Sequence, residues 1–440
     1  MFTRLQRYAA LAAPLIVMLA AGGCTAAGEE APEEGASSAG ATVVQVSLTE
    51  FAISPPMIHA PVGEALAFDV TNEGTAPHTF AVDTGAGVEA TPEIQPGASA
   101  TLHVAPLDAG TYETFCTVSG HRQAGMAGTL MVVADAAAAG ATGSSVSTEE
   151  MLAGHEAGVA AFPAETEGQG NQPLRPRIEN GDKVFDLTAT EVRWETSPGV
   201  FVDAMAFNGT IPGPEIRVDQ GDHVRIVVHN QMTQPTVVHF HGLTVPNDMD
   251  GVPFITQDPI MPGGFFTYEF DVVDPPGMYV YHSHFNSTEQ VGKGLYGAFL
   301  VQPPHDDWGA LYGGRVDVEQ TLFLGDGPTG YVLNGKGFPA TQPIVAALGD
   351  TVLIHLANDG SQIHPMHLHG FHFEVVAEDG FVLSNANRYM ADTLMIAPGQ
   401  RFDVLVDANS PGIWAFHCHI LPHVEGPHGM YGMVTALVVQ

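Results

Sequence analysis

The sequence predicts an all-β fold built from three similar domains in tandem, and three observations carry that prediction. Glycine and proline are abundant (50 and 32 of 440 residues) and charged residues make up only 14% of the chain. That balance suits short strands joined by turns better than long helices. A turn, a strand and an asparagine recur three times, at residues 63–72 (GEALAFDVTN), 221–230 (GDHVRIVVHN) and 349–358 (GDTVLIHLAN). Apolar residues alternate along each block, the period of a half-buried strand. Each block is followed by a Pro-Gly turn (Pro96-Gly97, Pro262-Gly263, Pro398-Gly399). A glycine and an aromatic residue then open another strand (Gly110 and Tyr112, Gly277 and Tyr279, Gly412 and Trp414).

In chain order, residues 1–24 have the composition of an export signal. Arg4 and Arg7 precede an apolar run over residues 9–21, too short to span a membrane, and the small residues Ala21, Gly22 and Gly23 then precede Cys24. Cys24 in that setting resembles the lipidation site of bacterial lipoproteins, which makes a lipid anchor the expected membrane contact. Residues 25–41 read as a tether and 42–134 as the first β domain. Residues 135–182 form a linker, low in complexity at first, with helical character over 151–161. The second and third β domains are expected at 183–303 and 304–440. A formal net charge of -35 argues against nucleic acid as a partner and favours cationic donors or metal ions.

The repeats keep histidine and cysteine in register. Six residues after the block asparagine stand His78 in the first repeat and His364 in the third. Six after the late glycine stand Cys116, Ser283 and Cys418, and five further on His121, Thr288 and His423. The first and third repeats therefore hold a His, Cys, His set that the middle one lacks. Met126 completes the first set as Cys-x4-His-x4-Met. Two imidazoles, a thiolate and a weak axial thioether make a blue-copper electron-transfer site. Only three cysteines are present, and Cys116 and Cys418 read better as metal thiolates than as a bridge. Four His-x-His pairs stand elsewhere: His239 and His241, His282 and His284, His367 and His369, His417 and His419. Residues i and i+2 of a strand share a face, so each pair can aim two imidazoles at one metal cluster. Eight imidazoles suit copper.

The first block resembles the cupredoxin family. The remainder resembles a multicopper oxidase, through His239-Phe-His241-Gly, His282-Ser-His284, His364-Pro-Met-His367-Leu-His369-Gly and His417-Cys418-His419-Ile-Leu-Pro-His423, in the family's order. The resemblance implies three cupredoxin-like Greek-key β-sandwich domains. It assigns His239 and His367 to a type 2 copper and the other six paired histidines to a type 3 pair. Cys418, His364 and His423 then hold a type 1 copper, with Met430 of Gly-Met-Tyr-Gly as axial ligand and Met433 as the alternative. Asp250 in Asp-Gly-Val-Pro matches an acid that helps protonate bound oxygen, and Glu289 resembles a glutamate of small two-domain laccases. The expected activity takes single electrons from a phenol, a metal ion or a redox protein at Cys418 and delivers four of them to O2. A copper nitrite reductase is the enzymatic alternative and a copper-binding electron carrier the non-catalytic one. Two catalytic domains in place of three imply a homotrimer with clusters between subunits. The tethered first domain is expected to relay electrons from an external donor.

Overall fold

The computed structural model describes residues 41–49, 52–55, 57–118, 121–122, 126–133, 148–426 and 429–440. The export signal with Cys24, the tether up to residue 40, the low-complexity linker over 134–147 and His428 lie outside the described residues. Three β-sandwiches follow one another. In each, the strand that opens the domain lies parallel to the block strand of the sequence repeat: Thr42–Thr49 beside Leu66–Asn72, Asp182–Ser197 beside His223–Asn230, and Val318–Gly325 beside Thr351–Asn358. The opposing sheet in each contains the strand opened by the glycine-aromatic signature, Gly110–Phe115, Gly277–Ser283 or Gly412–Cys418. Alternate residues of the two sheets face inward and close one apolar core per sandwich. The all-β expectation holds.

The repeated residues repeat their bonds. Asn72, Asn230 and Asn358 are buried, and each side-chain amide donates twice, at 2.8–2.9 Å. One acceptor is the carbonyl four residues on (Ala76, Gln234, Gln362) and the other is that of Ile94, Ile260 or Ile396. The side-chain oxygen accepts the backbone N–H two residues on, at 2.9 Å each time. The asparagine carbonyl accepts at 2.8 Å from the glycine of the Pro-Gly turn, Gly97, Gly263 or Gly399. Two motifs that the sequence shows separately are thus one hydrogen-bonded unit. The third motif is a corner: Tyr112, Tyr279 and Trp414 each donate from the ring's polar tip to the carbonyl four residues earlier, at 3.0–3.2 Å.

The second and third sandwiches share a further apolar cluster in which Trp194, Ile211 and Met278 meet Phe323 and Ala357. Trp194 Nε1 also donates to Gly335 O at 2.6 Å. Charged groups join the same two domains. Arg217 bonds Glu215 and Glu319, at 2.5 and 2.7 Å, and Glu319 lies 3.5 Å from the buried His355. Helix α1, Thr148–Ala161, is rich in alanine and has Glu149 and Glu150 in its first turn, both favourable to a helix. It ends before Phe162-Pro163, where the proline disfavours the helical conformation of its predecessor. Gly154 and His155 of α1 abut Gly429, and Phe162 stacks on Phe338 at 5.3 Å. None of the described helices is long and apolar enough to cross a membrane.

Removing the asparagine amide costs the Gln362 carbonyl its donor and the Gly360 N–H its acceptor, and takes one donor from the Ile396 carbonyl. At about 1–3 kcal/mol per unsatisfied group, Asn358→Ala is expected to destabilise the third sandwich by roughly 2 kcal/mol or more, read as an earlier thermal transition. His355 gives a pH signature. Burial lowers an imidazole, but Asp403 at 2.6 Å and Glu319 outweigh it and raise His355 from 6.5 to about 10. A raised folded pKa stabilises fully below the unfolded value, and that contribution fades as pH climbs to the folded one. Melting temperature is therefore expected to fall between about pH 6.5 and 10, with a shallower slope in His355→Gln.

Candidate metal centres

At one end of the first sandwich, His78 comes from the loop after the block strand, and Cys116 and His121 from the end of the strand Gly110–Phe115 and the loop beyond it. Cys116 Sγ lies 4.0 Å from His78 Nδ1 and 3.6 Å from His121 Nδ1, and the two nitrogens are 3.1 Å apart. The third sandwich repeats the triangle. Cys418 Sγ is 3.7 Å from His364 Nδ1 and 3.6 Å from His423 Nδ1. First-row ions hold imidazole nitrogen at about 2.0 Å and thiolate at about 2.3 Å, so donors sharing one ion stand roughly 3–4 Å apart, as both triangles do. Among the described residues, only these two groups bring three metal-binding donors within 4.8 Å of one another.

The surroundings of each triangle suit a thiolate site. Thr79 donates to Cys116 Sγ from its backbone N–H at 3.3 Å. Burial pushes the Cys418 thiol up to about 12, so an incoming cation must displace its proton. Burial first, then the neighbouring His364, lowers His423 to about 3, which keeps that imidazole neutral. Two partners here leave no trace in motif spacing. Asp326 Oδ2 accepts from His364 Nε2 at 3.0 Å, while Asp326 Oδ1 accepts from Ser361. Burial raises Asp326, but His364 and Ser361 outweigh it and bring it to about 2. Tyr331 stacks on the His423 ring at 3.9 Å and 16°.

Backbone register relates a methionine to each cysteine. The N–H of Cys116 bonds the carbonyl of Met126 at 3.0 Å, and the N–H of Cys418 bonds that of Met433 at 3.1 Å. Met126 and Met433 are both fully buried, each one residue before its final strand. Met430, the expected axial residue, instead sits in a small hairpin in which Glu425–Gly426 pairs with Gly429–Met430. Register therefore places Met433, and not Met430, at the position of Met126.

The paired histidines form two quartets. In the middle sandwich the rings of His239, His241, His282 and His284 pair at 5.4–6.3 Å between centroids. In the third, those of His367, His369, His417 and His419 pair at 4.8–5.7 Å. Among the described residues no ring of one quartet meets a ring of the other. Each quartet aims its nitrogens through the same device. His282 Nδ1 donates to Ser283 O at 2.9 Å and His417 Nδ1 to Cys418 O at 2.8 Å. His239 Nδ1 donates to Asp250 O at 2.7 Å and His367 Nδ1 to Asp392 O at 2.9 Å. A donating Nδ1 fixes the tautomer that leaves Nε2 as the metal-binding nitrogen.

Asp250 lies beside His239, with its carboxylate 3.3 Å from His239 Nδ1. Glu289 bonds residues of its own helix and the turn before it. Its carboxylate takes Lys293 Nζ at 2.8 Å and Asn286 Nδ2 at 2.5 Å, and it lines a surface groove of about 500 Å³ that holds none of the paired histidines. Thr288 is exposed, and the buried Gln290 occupies the space that register assigned to it.

Family models described as "Multicopper oxidase" match residues 188–306 and 315–440, together more than half of the chain, and a "Cupredoxin-like domain" model matches 12–132. The chain is 32% identical over 248 residues to Laccase-3 of Thanatephorus cucumeris, across 48% of this chain and 42% of that protein. It is 29% identical over 288 residues to a probable nitrite reductase-hydroxylamine oxidoreductase fusion protein of Kuenenia stuttgartiensis, across 58% and 31%. The chain spans less than half the length of either relative. The solved blue copper oxidase of Nitrosomonas europaea superposes with a TM-score of 0.54 at 32% identity, over 58% of this chain and 85% of that one.

The donor sets fit copper, the metal of the matched family. Titrating metal-free protein with Cu(II) is expected to develop two thiolate charge-transfer bands. Cys116→Ser should remove one and Cys418→Ser the other, as read by visible absorption.

Proposed function

The chain belongs to the multicopper oxidase family, and we propose that it is an exported oxidase that passes single electrons from a donor to O2. The observation that carries this reading is the placement of Cys418 between His417 and His419, which joins a buried thiolate triangle to a histidine quartet through adjacent residues. Bound copper would supply one-electron exchange at the sulfur site and, at the histidine cluster, reduction of O2 by four electrons and four protons to two waters.

His364, Cys418, His423 and Met433 would hold one type 1 copper, and His78, Cys116, His121 and Met126 another. His239 and His367 would hold the type 2 copper, and the other six paired histidines the type 3 pair. Asp250, beside His239, would hold and pass protons at that end of the cluster. Phenols, metal ions and redox proteins all fit as donors. Nitrite reduction is the weaker reading, because Ser283 stands in the middle domain where that chemistry would place its type 1 cysteine.

Two unjoined quartets on one chain support a cluster completed between copies, the middle domain of one meeting the third domain of the next. Such a contact is heterologous, and three copies close it into a ring. Phe254 and Ile255 support the same reading. They follow Asp250 closely and are 78% and 79% exposed, on a loop pinned by Phe254 N to Gln257 O and Thr256 N to Val252 O. Two adjacent large apolar side chains at that exposure suit a surface that another protein covers. Helix α1 supports the relay role of the first domain. It follows the low-complexity linker in the sequence and packs on the hairpin just beyond His423, where His155 pairs with Glu425 at 3.2 Å. A linker that ends beside the Cys418 site would raise the effective concentration of the first domain there.

Copper-loaded protein is expected to hold about five coppers per chain, to scatter light as a trimer, and to consume O2 but not nitrite with a phenolic or ferrous donor. Phe254→Asp with Ile255→Asp should yield a monomer that keeps both blue bands and takes up no oxygen. Cys116→Ser should slow only protein donors. Full oxygen uptake by a monomer would refute the shared cluster.

A further inference from the structure

We propose that the middle sandwich keeps the frame of a third type 1 site, closed by a hydrogen-bonded triad of Thr236, Ser283 and Gln290 in place of a metal, and that this triad positions His282 and His284. The inference rests on reading the quartets as halves of a copper cluster.

The frame is recognisable by its bonds. Thr236 exchanges backbone hydrogen bonds with Ile260, as His78 does with Ile94, and it stands where His364 pairs with Ile396. Ser283 N bonds Leu295 O at 3.0 Å, the bond that Cys116 makes to Met126 and Cys418 to Met433. Thr236, Ser283 and Leu295 therefore occupy the places of first histidine, cysteine and axial methionine. The second histidine's role falls to Gln290 of α2, Ser287–Gly292.

The triad leaves no unused valence on the amide. Gln290 Oε1 accepts from Ser283 Oγ at 2.6 Å and from Thr236 Oγ1 at 2.9 Å. Gln290 Nε2 donates to Pro235 O at 2.8 Å and to Gln234 Oε1 at 3.1 Å. An amide has two acceptor and two donor positions, and all four are taken. Thr236, Ser283 and Gln290 are fully buried, so each of these bonds is costly to lose.

The triad reaches the proposed ligands through one residue. Ser283 lies between His282 and His284 as Cys418 lies between His417 and His419. Its carbonyl accepts from His282 Nδ1, as the Cys418 carbonyl does from His417 Nδ1. In the third domain a metal–sulfur bond would anchor the central residue of that segment. In the middle domain Gln290 anchors it through the Ser283 hydroxyl. The triad touches no reacting atom, so its members are positioning residues.

The test uses full-length, copper-loaded protein and compares wild type, Gln290→Leu, and the triple variant Thr236→Val, Ser283→Ala, Gln290→Leu. The triple variant removes all three polar groups together, so no member of the triad is left unpaired, while Pro235 O and Gln234 Oε1 lose the amide donor in both variants alike. Both variants are expected to keep both blue bands while the non-blue copper binds about 10- to 100-fold more weakly, the usual cost of losing a partner behind a metal ligand. The type 2 signal in electron paramagnetic resonance should fall with it, and kcat should drop with donor KM unchanged. Wild-type affinity for non-blue copper in Gln290→Leu would overturn the proposal. So would a triple variant that melts with wild type and regains the full cluster, because the triad would then serve stability alone. A wild-type protein that binds only its two blue coppers would instead overturn the cluster reading, and the positioning role with it.

Discussion

A buried asparagine at the end of each block strand holds the metal-bearing end of its sandwich in place. Its amide ties the strand to the loop that presents the first donor and to the strand beyond, while its backbone carbonyl takes the N–H of the Pro-Gly turn. Four backbone polar groups of two loops and a strand thus converge on one buried residue. The position of His78, Thr236 or His364 six residues later follows from this knot. The cysteine or serine strand is placed against it by the aromatic corner, which pins the chain where that strand begins. Three sandwiches with different chemistry share one frame because the knot does not involve the chemistry.

What sequence could reveal followed the range of the physics. The His-x-His pairs were legible because alternation along a strand is a property of two neighbouring residues. The His, Cys, His sets were legible because the frame repeats, so their offsets from the asparagine and the late glycine repeat with it. Asp326 and Tyr331 were not, because each meets its histidine across a loop whose path no local rule dictates. The choice between Met430 and Met433 was open for a related reason. Counting from His423 assumes a loop of familiar length, whereas the backbone bond from Cys418 N to Met433 O is set by strand register. Thr288 failed as a counterpart of His121 and His423 because a short helix starts there and turns Gln290 inward.

The three sandwich ends show one backbone arrangement serving unlike inner groups. Two hold a thiol and two imidazoles, a donor set that suits a cation. The third holds hydroxyls and an amide that satisfy one another completely. A buried polar group needs a partner, and either a metal or a matched hydrogen-bond set provides one. The middle domain is thus self-sufficient where its neighbours would depend on copper.

The separation of the two quartets has a consequence for where and when the protein can act. If each cluster needs two chains, ligands from neighbouring copies must be brought together before metal can be held, and held metal in turn favours the neighbours staying together. By mass action, assembly and loading then reinforce each other, and both weaken on dilution. A solitary chain in transit would carry its histidines as unmatched halves with little grip on copper. Crowding of finished chains at their destination, or on a surface to which they are tethered, would act as the switch that arms the enzyme.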